Sequence, residues 1–168
     1  PLLAPQLNLE GANANWRSAL KQLQAHGSRK FVIVNAKNGL GNRLRALATA
    51  MSVAADLRRE VLLIWVPDLH CNCSFRSLYK SPWPFALLEE EIPFDEMSLS
   101  LFDKYNYMRP EPGAIKDEVV EADESKHIYF KSGFIMNHPS GDWTHAQHYM
   151  RQLKPSDDVQ RMLVTDRS

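Results

Sequence analysis

Four consecutive apolar residues, Phe31-Val32-Ile33-Val34, run toward the turn Asn38-Gly39-Leu40-Gly41-Asn42-Arg43 and then into an alanine-rich segment. No other feature constrains the fold as much. A short, unbroken run rich in β-branched residues suits a strand buried on both faces, as in a parallel sheet. Leu44, Leu47, Ala48, Met51 and Ala55 recur at helical spacing and predict a helix over 44–57. Val61-Leu62-Leu63-Ile64-Trp65 predicts a second buried strand. Strand, helix and strand with short links make a βαβ unit, with parallel strands and a right-handed crossover expected. The implied fold class is α/β, a Rossmann-like parallel sheet flanked by helices. The glycine turn is expected to face a ligand.

The remaining elements follow from periodicity and punctuation. Residues 1 to about 12 carry two prolines and no period, so they read as an arm. Trp16, Ala19, Leu20 and Leu23 predict an amphipathic helix over 14–26, ended at His26-Gly27-Ser28. Residues 1–28 are therefore an N-terminal arm and helix, and 29–168 the α/β domain. Pro67 to Ser74 reads as a loop, and Phe75 to Tyr79 as a short helix. Residues 80–125, with Pro82, Pro84, Pro93, Pro110 and Pro112, read as irregular structure with short elements. Ile128-Tyr129-Phe130 predicts a strand. Short helices are expected at about 144–152 and 156–164, the second capped by Ser156 with Asp157 and Asp158 in its first turn.

Charge narrows the partners. The chain of 168 residues has 20 basic and 20 acidic side chains, which gives no general case for nucleic acid or an anionic membrane surface. No apolar run approaches the roughly 18 residues of a membrane span. With Pro1 first and no leader, the expectation is a processed or trimmed product.

The turn itself suits an anion. Free N–H groups at a helix start accept negative charge, and glycine lets a ligand approach the backbone closely. Asn42 adds an amide, and Arg43 a forked cation that matches phosphate or carboxylate. Two common nucleotide motifs fail here. A dinucleotide fingerprint needs a small residue where Leu44 stands, and a Walker loop needs Gly-Lys-Ser/Thr where Gly41 is followed by Asn42-Arg43. The competing reading is that Gly39 and Gly41 only shape a tight turn and Asn42 caps the helix.

The stretch from Asn38 through Arg43, the alanine-rich helix and Arg58-Arg59-Glu60-Val61-Leu62-Leu63-Ile64-Trp65 resembles the opening of GDP-fucose-dependent fucosyltransferases. That family includes protein O-fucosyltransferases and α1,6-fucosyltransferases with their nodulation relatives. The match covers roughly residues 30–80. It implies the N-terminal, acceptor-side half of a GT-B glycosyltransferase, with Gly39, Leu40, Gly41, Asn42 and Arg43 toward the sugar nucleotide. It also implies transfer of fucose from GDP-fucose to an acceptor hydroxyl without a metal or other cofactor. The partners implied are the sugar nucleotide, a glycan or protein acceptor, and a second domain or chain. The compartment implied is the Golgi or endoplasmic reticulum lumen in a eukaryote and the cytoplasm in a bacterium. The family's His-x-Arg is missing: none of His26, His70, His127, His138, His145 and His148 has arginine two residues later. The chain thus reads as half an enzyme. The alternative is a non-catalytic sugar- or glycopeptide-binding module. On the enzymatic reading, Asn42→Ala and Arg43→Ala should abolish transfer and leave melting nearly unchanged.

Other candidates are weaker. Asp68 and His70 follow the second strand and could orient a hydroxyl or act as base; a polar surface loop is the favoured reading of them. Asn72-Cys73-Ser74 is a glycosylation sequon at Asn72. Cys71 and Cys73 are too close in sequence for an unstrained disulfide, and with His70 they fall short of a closed zinc site. His138, His145 and His148 read as solvated or capping residues. Trp83, Trp143, Tyr105 and Tyr107 could stack on a sugar but suit core and rim equally. Glu89-Glu90-Glu91 reads as a solvated face.

Overall fold

The first strand, β1 (Phe31–Ala36), is buried at every position. Its even-numbered residues Val32, Val34 and Ala36 enter one apolar layer, and Phe31 and Ile33 enter the other. That alternation is what a strand covered on both faces requires. The computed structural model describes residues 2–4, 6–25, 27–108 and 115–165. Readings that involve Pro1, His26, Pro110, Pro112 or Ser168 concern positions outside these.

Among the described residues, four further strands join β1: β2 (Glu60–Ile64), β3 (Ala86–Leu88), β4 (Phe102–Asn106) and β5 (His127–Ser132). The sheet order is β3-β2-β1-β5-β4, and every adjacent pair is parallel. Strand order therefore reverses beside β1. Periodicity predicts β1, β2 and β5 and reads 80–125 as irregular structure with short elements, and β3 and β4 are strands within that stretch. β3 has only three residues. β4 is an edge strand in which Asp103 and Lys104 are only half-buried, so its apolar run is broken.

Among the described residues, five α-helices accompany the sheet: α1 (Trp16–Ala25), α2 (Leu40–Asp56), α3 (Phe75–Leu78), α4 (Trp143–Met150) and α5 (Asp157–Thr165). In α2 all residues from Ala46 to Ala54 are buried, because the helix is packed between the sheet and α4. Alanine on so many faces lets those layers approach closely. Burying Met51 alone contributes roughly 2 to 3 kcal/mol. On the other face, Ala19, Leu20 and Leu23 of α1 cover Phe31, Ile33 and Tyr129.

Polar staples lock the layers. His127, only 2% exposed, accepts from the Phe31 N–H at 3.1 Å through Nδ1 and reaches the Leu23 carbonyl at 2.9 Å through Nε2. Arg59 is buried rather than displayed at the end of α2. It donates to the carbonyls of Lys126 and Asp123, both at 2.7 Å, and so fixes the turn before β5. The acidic run is solvated only in part: Glu89 is exposed, and the other two carboxylates are tied to neighbouring elements. Glu90 accepts from the Trp16 N–H, while Glu91 pairs with Lys37 and accepts from Asn35. These bonds hold the loop after β3 over the carboxyl end of β1.

Candidate functional site

Three loops meet at the carboxyl ends of the central strands: 37–39 after β1, 66–74 after β2, and 133–135 after β5. This edge is where open α/β sheets bind ligands. Helix α2 begins earlier than periodicity suggested, at Leu40, with Gly39 as its N-cap. Asn42 is therefore the third helical residue and caps nothing. No side chain caps the helix, and the first intrahelical bond runs from the Arg43 N–H to the Gly39 carbonyl at 3.0 Å. Helical geometry leaves the N–H groups of Leu40, Gly41 and Asn42 without an intrahelical acceptor. They sit at the positive end of a 17-residue helix.

Neither glycine is required by the fold. Gly39 has a φ of −69°, which any residue adopts. A Cβ built there would lie 3.8 Å from the His70 carbonyl oxygen, an ordinary contact. A Cβ at Gly41 would meet nothing within 4 Å. The strained conformation falls one residue earlier, at Asn38, with a φ of 69°. Asparagine tolerates that region. Its side chain lies against Gly133, where an added Cβ would stand 2.5 Å from Asn38 Nδ2 and 3.0 Å from Asn38 Cβ. So the turn is shaped by Asn38 and Gly133, and the reading that Gly39 and Gly41 merely make it tight has no steric basis.

Arg43 does not face a ligand. Its side chain is 0% exposed. Nε donates to the Asn38 carbonyl at 2.8 Å, Nη1 donates to the Val66 carbonyl at 2.8 Å, and Nη2 lies 2.9 Å from Asp68 Oδ2. The Nη2 contact is an ion pair without hydrogen-bond alignment. The guanidinium also lies 5.0 Å from the centre of the Trp65 ring. Arg43 thus ties the loop after β1 to the loop after β2, and Arg43→Ala should unfold the edge rather than leave melting unchanged. The cation the turn offers to solvent is Arg45. It is exposed, and its Nη2 lies 2.5 Å from Asn42 Oδ1. An arginine one turn into a helix, three residues after an asparagine, is the sequence signal that marks it.

Asp68 is committed as well. Oδ1 accepts from the N–H groups of His70 at 2.8 Å and Cys71 at 3.1 Å, while Oδ2 faces Arg43. Desolvation pushes its pKa up, but the two backbone hydrogen bonds and the Arg43 charge outweigh it and hold the carboxyl below its ordinary range. A carboxylate so stabilised is a weak base. His70 is exposed, and Asn72 is exposed between the two cysteines.

The remaining sequence candidates fall elsewhere. Tyr105 and Tyr107 are core residues whose hydroxyls reach the carbonyls of Glu121 and Glu118. Burial raises both, Tyr107 to about 12. Trp83 stacks on Phe85 with rings 6.3 Å apart. His138 accepts from the Ser140 N–H at 3.1 Å as a local cap. His145 and His148 line a cavity of about 610 Å³ with Asp56, Ser140 and Tyr149, between α2 and α4 and away from the turn. Among the described residues, no three His, Cys, Asp or Glu side chains stand together as a metal site. No described helix is long and apolar enough to cross a membrane.

Fold and site together define an α/β protein of Rossmann-like architecture with an uncapped, glycine-bearing helix start at the strand switch. No protein-family model, curated protein or solved structure matches the chain.

Proposed function

We propose that this domain is the acceptor-side half of a glycosyltransferase that uses a nucleoside-diphosphate sugar, with GDP-fucose as donor. The observation that carries the reading is the pair Gly39 and Gly41. Both stand at the carboxyl edge of the sheet, and neither is demanded by backbone angle or packing. A glycine the fold does not need is explained by a partner that must come close to the backbone. The N–H groups of Leu40, Gly41 and Asn42, which have no intrahelical acceptor, supply donors to a diphosphate, and the helix dipole adds to them. Arg45 supplies the solvent-facing charge. Arg43 and Asp68 act beneath the site, holding the two loops in place. The fucose assignment rests on the resemblance of residues 30–80 to fucosyltransferases.

The test is an amide NMR titration of the protein with GDP-fucose, GDP and a uridine diphosphate sugar. Saturable shifts of the Gly39, Leu40, Gly41 and Asn42 amides with GDP-fucose and GDP, and weaker ones with the uridine compound, are expected. Amides that stay unmoved with all three compounds would overturn the reading. Shifts of equal size with all three would remove the guanine preference and with it the fucose assignment.

A further inference from the structure

The sulfurs of Cys71 and Cys73 lie 3.3 Å apart, one thiol donating to the other, and both cysteines are free. Only Asn72 separates them, so their meeting depends on how the loop is folded. The loop is pinned at both residues. Cys71 exchanges backbone hydrogen bonds with Asp68, at 3.1 and 3.3 Å, in addition to the Asp68 side-chain bond. The Cys73 carbonyl accepts from the Trp65 indole N–H at 2.9 Å. Cys71 is 6% exposed and Cys73 half-buried, which gives one entry thiol and one shielded thiol.

We propose that Cys71 and Cys73 form a reversible dithiol–disulfide site, oxidised by a small-molecule disulfide, whose state sets the position of the loop that carries Asp68. The Cys73 thiolate attacks one sulfur of the small disulfide. That disulfide breaks, and the departing thiolate takes up the proton Cys73 gave up. Cys71 then loses its proton and attacks Cys73 Sγ, the mixed disulfide breaks, and a second small thiol leaves protonated. Two electrons pass from the protein to the small disulfide, which becomes two thiols.

Two features make this a switch rather than a fixed link. A disulfide between residues separated by one position is strained and therefore easily reduced. Closure must also bring the sulfurs to about 2.05 Å, which displaces the backbone on either side of Asn72. The bonds displaced are those to Trp65 and Asp68. Asp68 is the partner of Arg43, and the His70 carbonyl packs 3.8 Å from the Cβ position of Gly39. Oxidation is thus transmitted to the loop beside the glycine turn. Burial above all, with Cys71 adding and Arg43 opposing, pushes the Cys73 thiol to about 11, so the reduced pair is slow to react at neutral pH. The inference stands apart from the identity of any ligand at the turn.

The experiment equilibrates the protein in graded mixtures of reduced and oxidised glutathione, then reads alkylation by mass and the Trp65 indole resonance by NMR. The expected product is two hydrogens lighter, resists alkylation at both cysteines, reverts with excess reduced glutathione and shifts the Trp65 indole signal. In Cys71→Ser the reaction should stop at a glutathione adduct on Cys73. Full alkylation of both cysteines at every ratio, or a wild-type protein that stops at the adduct, would overturn the proposal. A closed form with an unmoved Trp65 resonance would overturn its coupling to the loop.

Discussion

Nη2 of Arg43 lies 2.9 Å from Oδ2 of Asp68, and this pair joins the loop leaving β1 to the loop leaving β2. The arginine is fully enclosed while the aspartate side chain is 36% exposed, so the two ends of the pair differ in what they lose when the partner goes.

Removing the buried end is the costly change. Arg43→Ala leaves the Asn38 and Val66 carbonyls without their donors and opens a cavity beside Trp65. Loss of those two charge-assisted hydrogen bonds, together with the cavity, destabilises by about 3 to 5 kcal/mol. Urea denaturation should show an unfolding free energy lower by that amount, and a correspondingly lower midpoint. A midpoint within experimental error of the wild type would mean that Arg43 is not the internal brace described here.

Acid should weaken the same link from the aspartate side. The Asp68 carboxyl is held below its ordinary pKa in the folded state, so it adds stability above about 3.8. That contribution is lost as pH falls through the lower, folded value. Asp68→Asn should therefore flatten the fall in melting temperature between pH 5 and the acid limit of folding. If wild type and variant lose stability in parallel over that range, Asp68 does not contribute to the acid response.

The glycines allow stability and binding to be separated. Gly41 is inside the first turn of α2 with nothing near its Cβ position, so Gly41→Ala should stabilise the helix by about 0.5 to 1 kcal/mol. On the proposed function, the same methyl narrows the ligand's approach to the backbone and should weaken GDP-fucose binding. Gly141→Ala is the contrast, because its Cβ would collide with the Met136 backbone carbonyl. That variant should lose stability. Undiminished ligand affinity in Gly41→Ala would remove the functional argument for the glycine pair.

How much of this was legible depended on whether local pattern or tertiary contact decided each feature. The unbroken run of β1 and the spacing along α2 are local, and both elements follow from sequence alone. β3 and β4 are short or edge strands fixed by their neighbours, so no periodic signal marks them. At the candidate site, the turn that leads from β1 into α2 was legible from its glycines. The role of Arg43 was not, because a forked cation suits an external phosphate and an internal pair of carbonyls equally well. Only the position of Val66 and Asp68, brought in by β2, decides between them.

The cysteine pair adds a prediction in which the sign follows from the thiol. With Cys73 near 11, its thiolate fraction at neutral pH is small and rises about tenfold for each pH unit below that value. Closure by oxidised glutathione begins with that thiolate, so its rate should climb about a hundredfold between pH 7 and 9. Arg43 opposes the upward shift through its charge. A variant that keeps the fold but lacks the cation, such as Arg43→Gln if it remains folded by circular dichroism, should therefore slow closure at a given pH. A rate that stays level from pH 7 to 9 in the wild type would place the reacting thiolate elsewhere than at Cys73.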